Sequence, residues 1–164
     1  MLRIFSFLAF TVLFTPTLLA EPFWGSKASQ PINTPAYKLK AGQFIWLDDV
    51  PSGTLTATIN LSKQQMYVYR GSTLIGISTV STGRNKRRTP RGSFTVLEKQ
   101  RYHRSKKYNN ALMPYMQRLT SKGIAIHAGR LPGYPASHGC IRLPSQFARF
   151  VFQASAVGMP VTII

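Results

Sequence analysis

A mainly β domain, a sandwich or small barrel with one helix packed against it, is the fold class this sequence predicts. Three observations carry that expectation. Apolar and polar residues alternate with period two from residue 55, a hairpin signal separates two β-rich runs, and one segment after Pro144 has helical spacing.

Leu55, Ala57, Ile59 and Leu61 alternate with Thr56, Thr58 and Asn60, as a half-buried strand requires. Met66 to Tyr69 and Thr73 to Val80 are two further β-rich runs, split by Arg70-Gly71-Ser72, which predicts a hairpin. The basic stretch GRNKRRTPRG, Gly83 to Gly92, is rich in turn formers and reads as a loop, and Gly92 to Lys99 reads as another strand. The apolar run Gly123 to Ile126 places His127 at a strand tip. Ser145 reads as the N-cap of a short helix whose apolar face is Phe147, Phe150, Val151 and Ala154; Gly158 ends it and Pro160 blocks continuation. Pro160 to Ile164 closes the chain as a final strand. No internal repeat is found.

The 164 residues suit one domain behind a targeting segment. In MLRIFSFLAFTVLFTPTLLA, Arg3 precedes an apolar run from Ile4 to Phe14, and Ala20 gives a small residue at the end, so residues 1–20 read as a secretory signal peptide. The run stops at Pro16, short of the roughly 18 residues of a spanning helix, so the membrane is met only in transit through this segment. Residues 21–53, with prolines at 22, 31, 35 and 51, read as an irregular leader whose Phe44 and Trp46 can dock on the domain; residues 54–164 are the domain itself. Export predicts a periplasmic location.

Lys and Arg number 21 against 4 Asp and Glu, a formal charge of +17, and only Arg3 of these lies in the signal segment. The partner predicted is anionic. Export directs it away from nucleic acid and toward the acidic polymers of a cell envelope. Glu21, Asp48, Asp49 and Glu98 are too few and too poorly spaced for paired-carboxylate glycoside hydrolysis or for a calcium cage. Neither Ser-x-x-Lys nor Lys-Thr-Gly occurs, which disfavours serine-type peptidase chemistry.

The stretch IHAGRLPGYPASHGCIRLP, Ile126 to Pro144, holds two of three histidines and the only cysteine. A lone cysteine is often a small buried hydrophobe. A nucleophile instead needs a base to take its proton, and His127, thirteen positions before Cys140 across a Gly- and Pro-rich loop, is the candidate. His138 is a poorer base because its side chain runs parallel to that of Cys140. Gly139 permits a tight turn, so the amides of Gly139 and Cys140 can face a developing oxyanion. No carboxylate is close in sequence; a backbone carbonyl near Ala128 can orient His127 instead. A thiol activated in this way reacts with electrophiles below pH 7, whereas a packed one does not. His127, His138, Cys140 and His103 do not follow zinc spacings, so neither a metal nor a cofactor is expected.

SHGCIRLP preceded by IHAG resembles the active-site signature of the YkuD-type L,D-transpeptidases, and VSTGRNKRRTPRGSF resembles a second segment of that family. The resemblance runs from Leu55 to Ile164 and fits an alphaproteobacterial-like subgroup with a short spacer between His and Cys. It implies a YkuD-like β-sandwich or barrel with a C-terminal helix and a catalytic loop. It also implies Cys140 as nucleophile, His127 as general base and acid, Gly139 as an oxyanion amide, and Ser137, His138 and Arg142 in support. Arg142, Met113, Tyr115 and Ala128 are candidate substrate contacts, with Met113, Tyr115 and Met116 read first as packing of the cleft wall. The implied reaction opens the bond between the diamino acid at position three and D-Ala at position four of a peptidoglycan stem. The thioester formed then passes to a neighbouring stem amine as a 3→3 cross-link, and carbapenems acylate the same thiol. Ala128 stands where the family has glycine, and the shorter spacer predicts a smaller rim. Hydrolysis, or ligation of an envelope protein to the stem, shares the first half-reaction. A noncatalytic, basic wall-binding protein is the alternative from another class.

Overall fold

A computed structural model describes residues 37–164. The signal segment and residues 21–36 of the leader lie outside the described residues.

Two sheets and one helix enclose the main core. The first sheet has the order β1-β4-β3-β2-β10-β5, formed by β1 (Phe44–Trp46), β2 (Leu55–Asn60), β3 (Gln65–Arg70), β4 (Thr73–Thr79), β5 (Gly92–Thr95) and β10 (Pro160–Ile163). Its pairs are antiparallel except β10 with β2, which run parallel with Val161 opposite Ala57. The second sheet has the order β6-β7-β8-β9, formed by β6 (Glu98–Gln100), β7 (Met116–Arg118), β8 (Ala125–Ala128) and β9 (Ile141–Leu143), with β8 and β9 parallel. Helix α1 (Ser145–Ala154) packs between them. No helix among the described residues is long and apolar enough to cross a membrane.

The alternating run forms β2 and the two β-rich runs form β3 and β4, and the hairpin turns at Gly71 and Ser72, with Arg70 opposite Thr73 and Gly71 at φ 58°. Three expectations need correction. The leader contributes β1, which pairs with β4. The run Gly92–Lys99 is two strands in different sheets, because Val96 turns into the core and its N–H donates to Met159 C=O at 3.0 Å. Ser145 is the first helical residue, Pro144 precedes the helix without a side-chain cap, and the helix ends at Ala154, before Gly158.

Leu55, Ile59, Val68, Ile75, Ile126, Ile141, Phe147, Val151 and Ile163 are among the residues buried in the main core. An aromatic layer covers its β1 side: Trp46 meets Phe147 edge-on at 5.6 Å and stacks on Phe150 at 5.8 Å. Gly76 makes room for it, since a Cβ there would lie 2.7 Å from Trp46 Cε3 and 3.2 Å from Phe147 Cε2. Gly76→Val forces two packed rings apart. It is expected to destabilise the domain by about 2 kcal/mol, read as a lowered urea midpoint with an unchanged slope.

Candidate active site

The β8–β9 pairing sets the site. Ile126 is opposite Ile141 and Ala128 opposite Leu143, and all four side chains enter the main core. By alternation Ala125, His127 and Arg142 face the other way, and so does Cys140, one residue before β9, which packs on Met113, Met116 and Ala125. His127 and Cys140 line one cleft of about 280 Å³ together with Ser137, His138, Arg142 and Met113. A second cavity, about 340 Å³, reaches Cys140 from the side of Met113, Met116, Lys122 and Gly123. Cys140 thus borders a cavity on each of two sides.

His127 is buried inside β8 rather than at a strand tip, and its Nδ1 lies 2.7 Å from Ala128 O. A carbonyl can only accept, so Nδ1 carries the proton and Nε2 is left as the base. Burial pulls the imidazole down to about pKa 4; the Ala128 carbonyl opposes this, while Arg142 and His103 add to it. The Cys140 thiol donates to Gly123 O at 3.6 Å. Burial pushes its pKa up, opposed by the Ala125 backbone and by Arg142. Burial thus favours the uncharged form of both groups in this cleft at neutral pH. Desolvation opposes the charged form of both groups, so the rate at which electrophiles label the thiol below pH 7 measures how far His127 offsets the burial of Cys140.

The turn carrying Cys140 is tied from beneath. Ser137 Oγ donates to Cys140 O at 2.6 Å and accepts from Gly139 N–H at 3.0 Å. That second bond occupies the Gly139 amide expected to face an oxyanion. Gly139 has φ +118°, and a Cβ would sit 2.6 Å from Ile124 Cδ1, so only glycine fits this turn. His138 does not share a strand with Cys140: it stacks on Tyr108 at 4.7 Å and 17°, and Arg87 Cζ lies 5.9 Å from the centre of the Tyr108 ring. Burial, followed by Arg87, Arg84 and Arg142, lowers the His138 pKa. Arg142 lays its aliphatic stem across Gly129, where a Cβ would be 3.1 Å away, and its head lines the cleft.

Two substrate assignments change. The Ala128 side chain is in the core, and it is its carbonyl that serves the site. Tyr115 packs on Phe152 at 5.8 Å and against the main core, away from the cleft lining. Met113 does line the cleft. His103 is hydrogen-bonded through Nδ1 to Gln100 Oε1 at 2.7 Å, and among the described residues no group of three or more His, Cys, Asp or Glu converges as a metal site would require.

Residues without a role in the sequence reading complete the site. Thr89 Oγ1 accepts from Gly83 N–H at 2.8 Å and donates to Gly139 O at 2.9 Å, so it pins the basic loop to the nucleophile turn. Gly83 lies so close that a Cβ would be 2.8 Å from Gly139 Cα. The Thr-Pro-x-Gly segment was the available signal; its partners were not readable. Tyr108 and Leu112 wall the cleft from the stretch 101–112, whose irregular sequence showed only the Asn109-Asn110 turn signal, both residues at positive φ. Thr89→Val removes both bonds while keeping the shape. The expected cost is about 2 kcal/mol of stability, with slower acylation of Cys140, checked by urea unfolding and single-turnover mass spectrometry.

A thiol and a carbonyl-oriented imidazole in one cleft of a two-sheet β domain define the Cys–His class of site, in which an acyl group can be held on sulfur. The model of the YkuD family, the L,D-transpeptidase catalytic domain, matches residues 55–163, and the chain belongs to that family. It is 31% identical over 104 residues to "Probable L,D-transpeptidase 3" of Mycobacterium tuberculosis (strain ATCC 25618 / H37Rv), covering 54% of this chain and 38% of that protein. An L,D-transpeptidase structure from M. tuberculosis H37Rv matches with TM-score 0.64 and 26% identity over 68% of this chain and 57% of the other. L,D-transpeptidase 3 from M. tuberculosis, solved with a faropenem-derived adduct, matches with TM-score 0.62 and 25% identity over 67% of this chain and 60% of the other. The chain spans less than two thirds of the length of each of these relatives.

Proposed function

We propose that the chain is an exported, periplasmic peptidoglycan L,D-transpeptidase. Cys140 Sγ attacks the carbonyl of the diamino acid at position three of a tetrapeptide stem. His127 Nε2 takes the thiol proton and delivers it to the departing amine of D-Ala, leaving a thioester. The side-chain amine of a second stem then attacks, gives its proton back to Nε2 and forms the 3→3 amide while the thiol is released; water is the competing acceptor. The Cys140 N–H, which lies outside the β8–β9 ladder, is the amide assigned to the oxyanion in place of Gly139. Arg142 and Met113 contact the donor stem, Ser137 holds the turn, and His138 with Tyr108 forms its outer wall.

The observation that carries this reading is the 2.7 Å contact of His127 Nδ1 with Ala128 O, which replaces the missing carboxylate and fixes the tautomer needed at Nε2. The faropenem-derived adduct of a relative supports acylation of the same thiol by β-lactams of the penem and carbapenem type. The test is intact-protein mass spectrometry of the chain with disaccharide-tetrapeptide stems, with the small products followed in parallel. A Cys140-linked adduct with 3→3 dimers is the expected result. Adduct with tripeptide alone would make it a hydrolase or a ligase lacking its protein acceptor, and no adduct would leave a wall-binding protein.

A further inference from the structure

We propose that a basin on the far side of the nucleophile turn binds an acidic glycan, a chain of sugar rings carrying carboxylate or phosphate groups. This cavity measures about 690 Å³, against about 280 Å³ for the cleft that holds the thiol, and neither Cys140 nor His127 lines it. Arg84, Arg88 and Arg91 stand exposed along its wall, and Tyr134, 61% exposed, lies at its rim. Among the described residues the ion pairs are Arg70 with Asp48 and Arg118 with Glu98, so these three guanidiniums have no carboxylate partner. Three like charges on one concave wall repel each other, and a ligand with spaced negative groups relieves that repulsion.

The basin is held in shape before any ligand arrives. Arg84 N–H donates to Ser137 O at 3.2 Å, and Thr89 ties the other end of the loop to Gly139. Ser81 Oγ donates to Tyr134 O at 2.8 Å, which fixes the tyrosine backbone and leaves its ring outward. Ordering of the exposed arginine side chains, not of the backbone, is what remains to oppose binding. An exposed aromatic face beside a row of guanidiniums suits a sugar ring, whose C–H face packs on the tyrosine while its acid groups meet the arginines. An acidic peptide or a lone phosphate would use the arginines and leave Tyr134 without a role. Gly83 and Thr89 line the basin and touch Gly139 of the nucleophile turn, so a bound polymer lies next to the catalytic cleft without entering it.

The test is calorimetric titration of the Cys140→Ala chain with a galacturonic acid hexamer, a phosphorylated mannan oligosaccharide, the neutral chitin hexamer and hexa-aspartate. Because binding is read without turnover, its failure is distinct from failure of the transfer chemistry. One of the two acidic glycans is expected to bind about tenfold more tightly than the chitin hexamer and to weaken with salt. That affinity is expected to fall about tenfold in Arg88→Gln/Arg91→Gln and severalfold in Tyr134→Ala. Which glycan binds separates carboxylate from phosphate recognition. Unchanged affinity in the double variant would overturn the proposal. So would hexa-aspartate binding as tightly as either glycan with Tyr134→Ala silent, which would leave a plain charged surface.

Discussion

Cys140→Ala yields a folded domain that forms no covalent adduct with a tetrapeptide stem and transfers nothing, a loss of about 10⁴-fold or more against wild type. The size of the effect follows from the chemistry: without sulfur there is no atom to carry the acyl group between donor and acceptor. Folding should survive, because Cys140 is only partly buried and its backbone carbonyl, not its thiol, receives the Ser137 bond. The measurement is intact mass after incubation with the stem, beside an unfolding curve. A wild-type rate in the variant would end the assignment of the nucleophile, and a collapsed unfolding curve would show that the thiol's contacts with Met113, Met116 and Ala125 matter more than its reactivity.

His127→Gln is expected to lower kcat/KM for acylation by about 10² to 10⁴-fold, because a neutral amide cannot take the thiol proton. Its pH behaviour is the sharper signature. In wild type the imidazole sits at about pKa 4, so kcat/KM should be level through neutrality and fall as pH drops through about 4, where Nε2 takes a proton and ceases to be a base. Stability follows the same group. The unfolded chain binds the proton at the ordinary histidine value near 6.5, above the folded value, so wild type loses stability as pH falls from about 6.5 toward 4. The cost is on the order of 3 kcal/mol and is complete below the lower value. His127→Gln should lack this component. A wild-type activity limb near 6.5 would show that the imidazole is solvated and that burial does not set its charge.

The sequence made the central strands legible because β2 alternates apolar residues with Thr and Asn, and β3 and β4 are β-rich runs of six and seven residues split by a turn signal. It concealed β1, three half-buried residues in a Pro-rich stretch, since its place is decided by the aromatic layer with Phe147 and Phe150 and not by local pattern. It concealed the break at Val96 because a strand that changes sheets keeps its β-type composition through the corner. In the site, residue types and spacing were enough to nominate Cys140 and His127 for one cleft. Which hydrogen bond each amide makes was not readable: the Ser137 hydroxyl takes the Gly139 N–H, and only the folded turn shows it. Ala128 was misplaced for a related reason, because a side chain's direction depends on strand register and β8 and β9 are too short to announce theirs; Tyr115, read first as packing, does pack, from a position of positive φ just before β7.

The position of β10 sets an order of assembly. This strand lies between β2 and β5, with Val161 opposite both Ala57 and Phe94. The β2–β3–β4 meander can form from neighbouring residues as soon as they exist, whereas β5 has no partner in its sheet until a segment some seventy residues further along arrives. Closing that long loop is a slow, non-local event. A chain delivered end first, from a ribosome or through a narrow export channel, therefore keeps its first sheet open until residues 160–163 emerge.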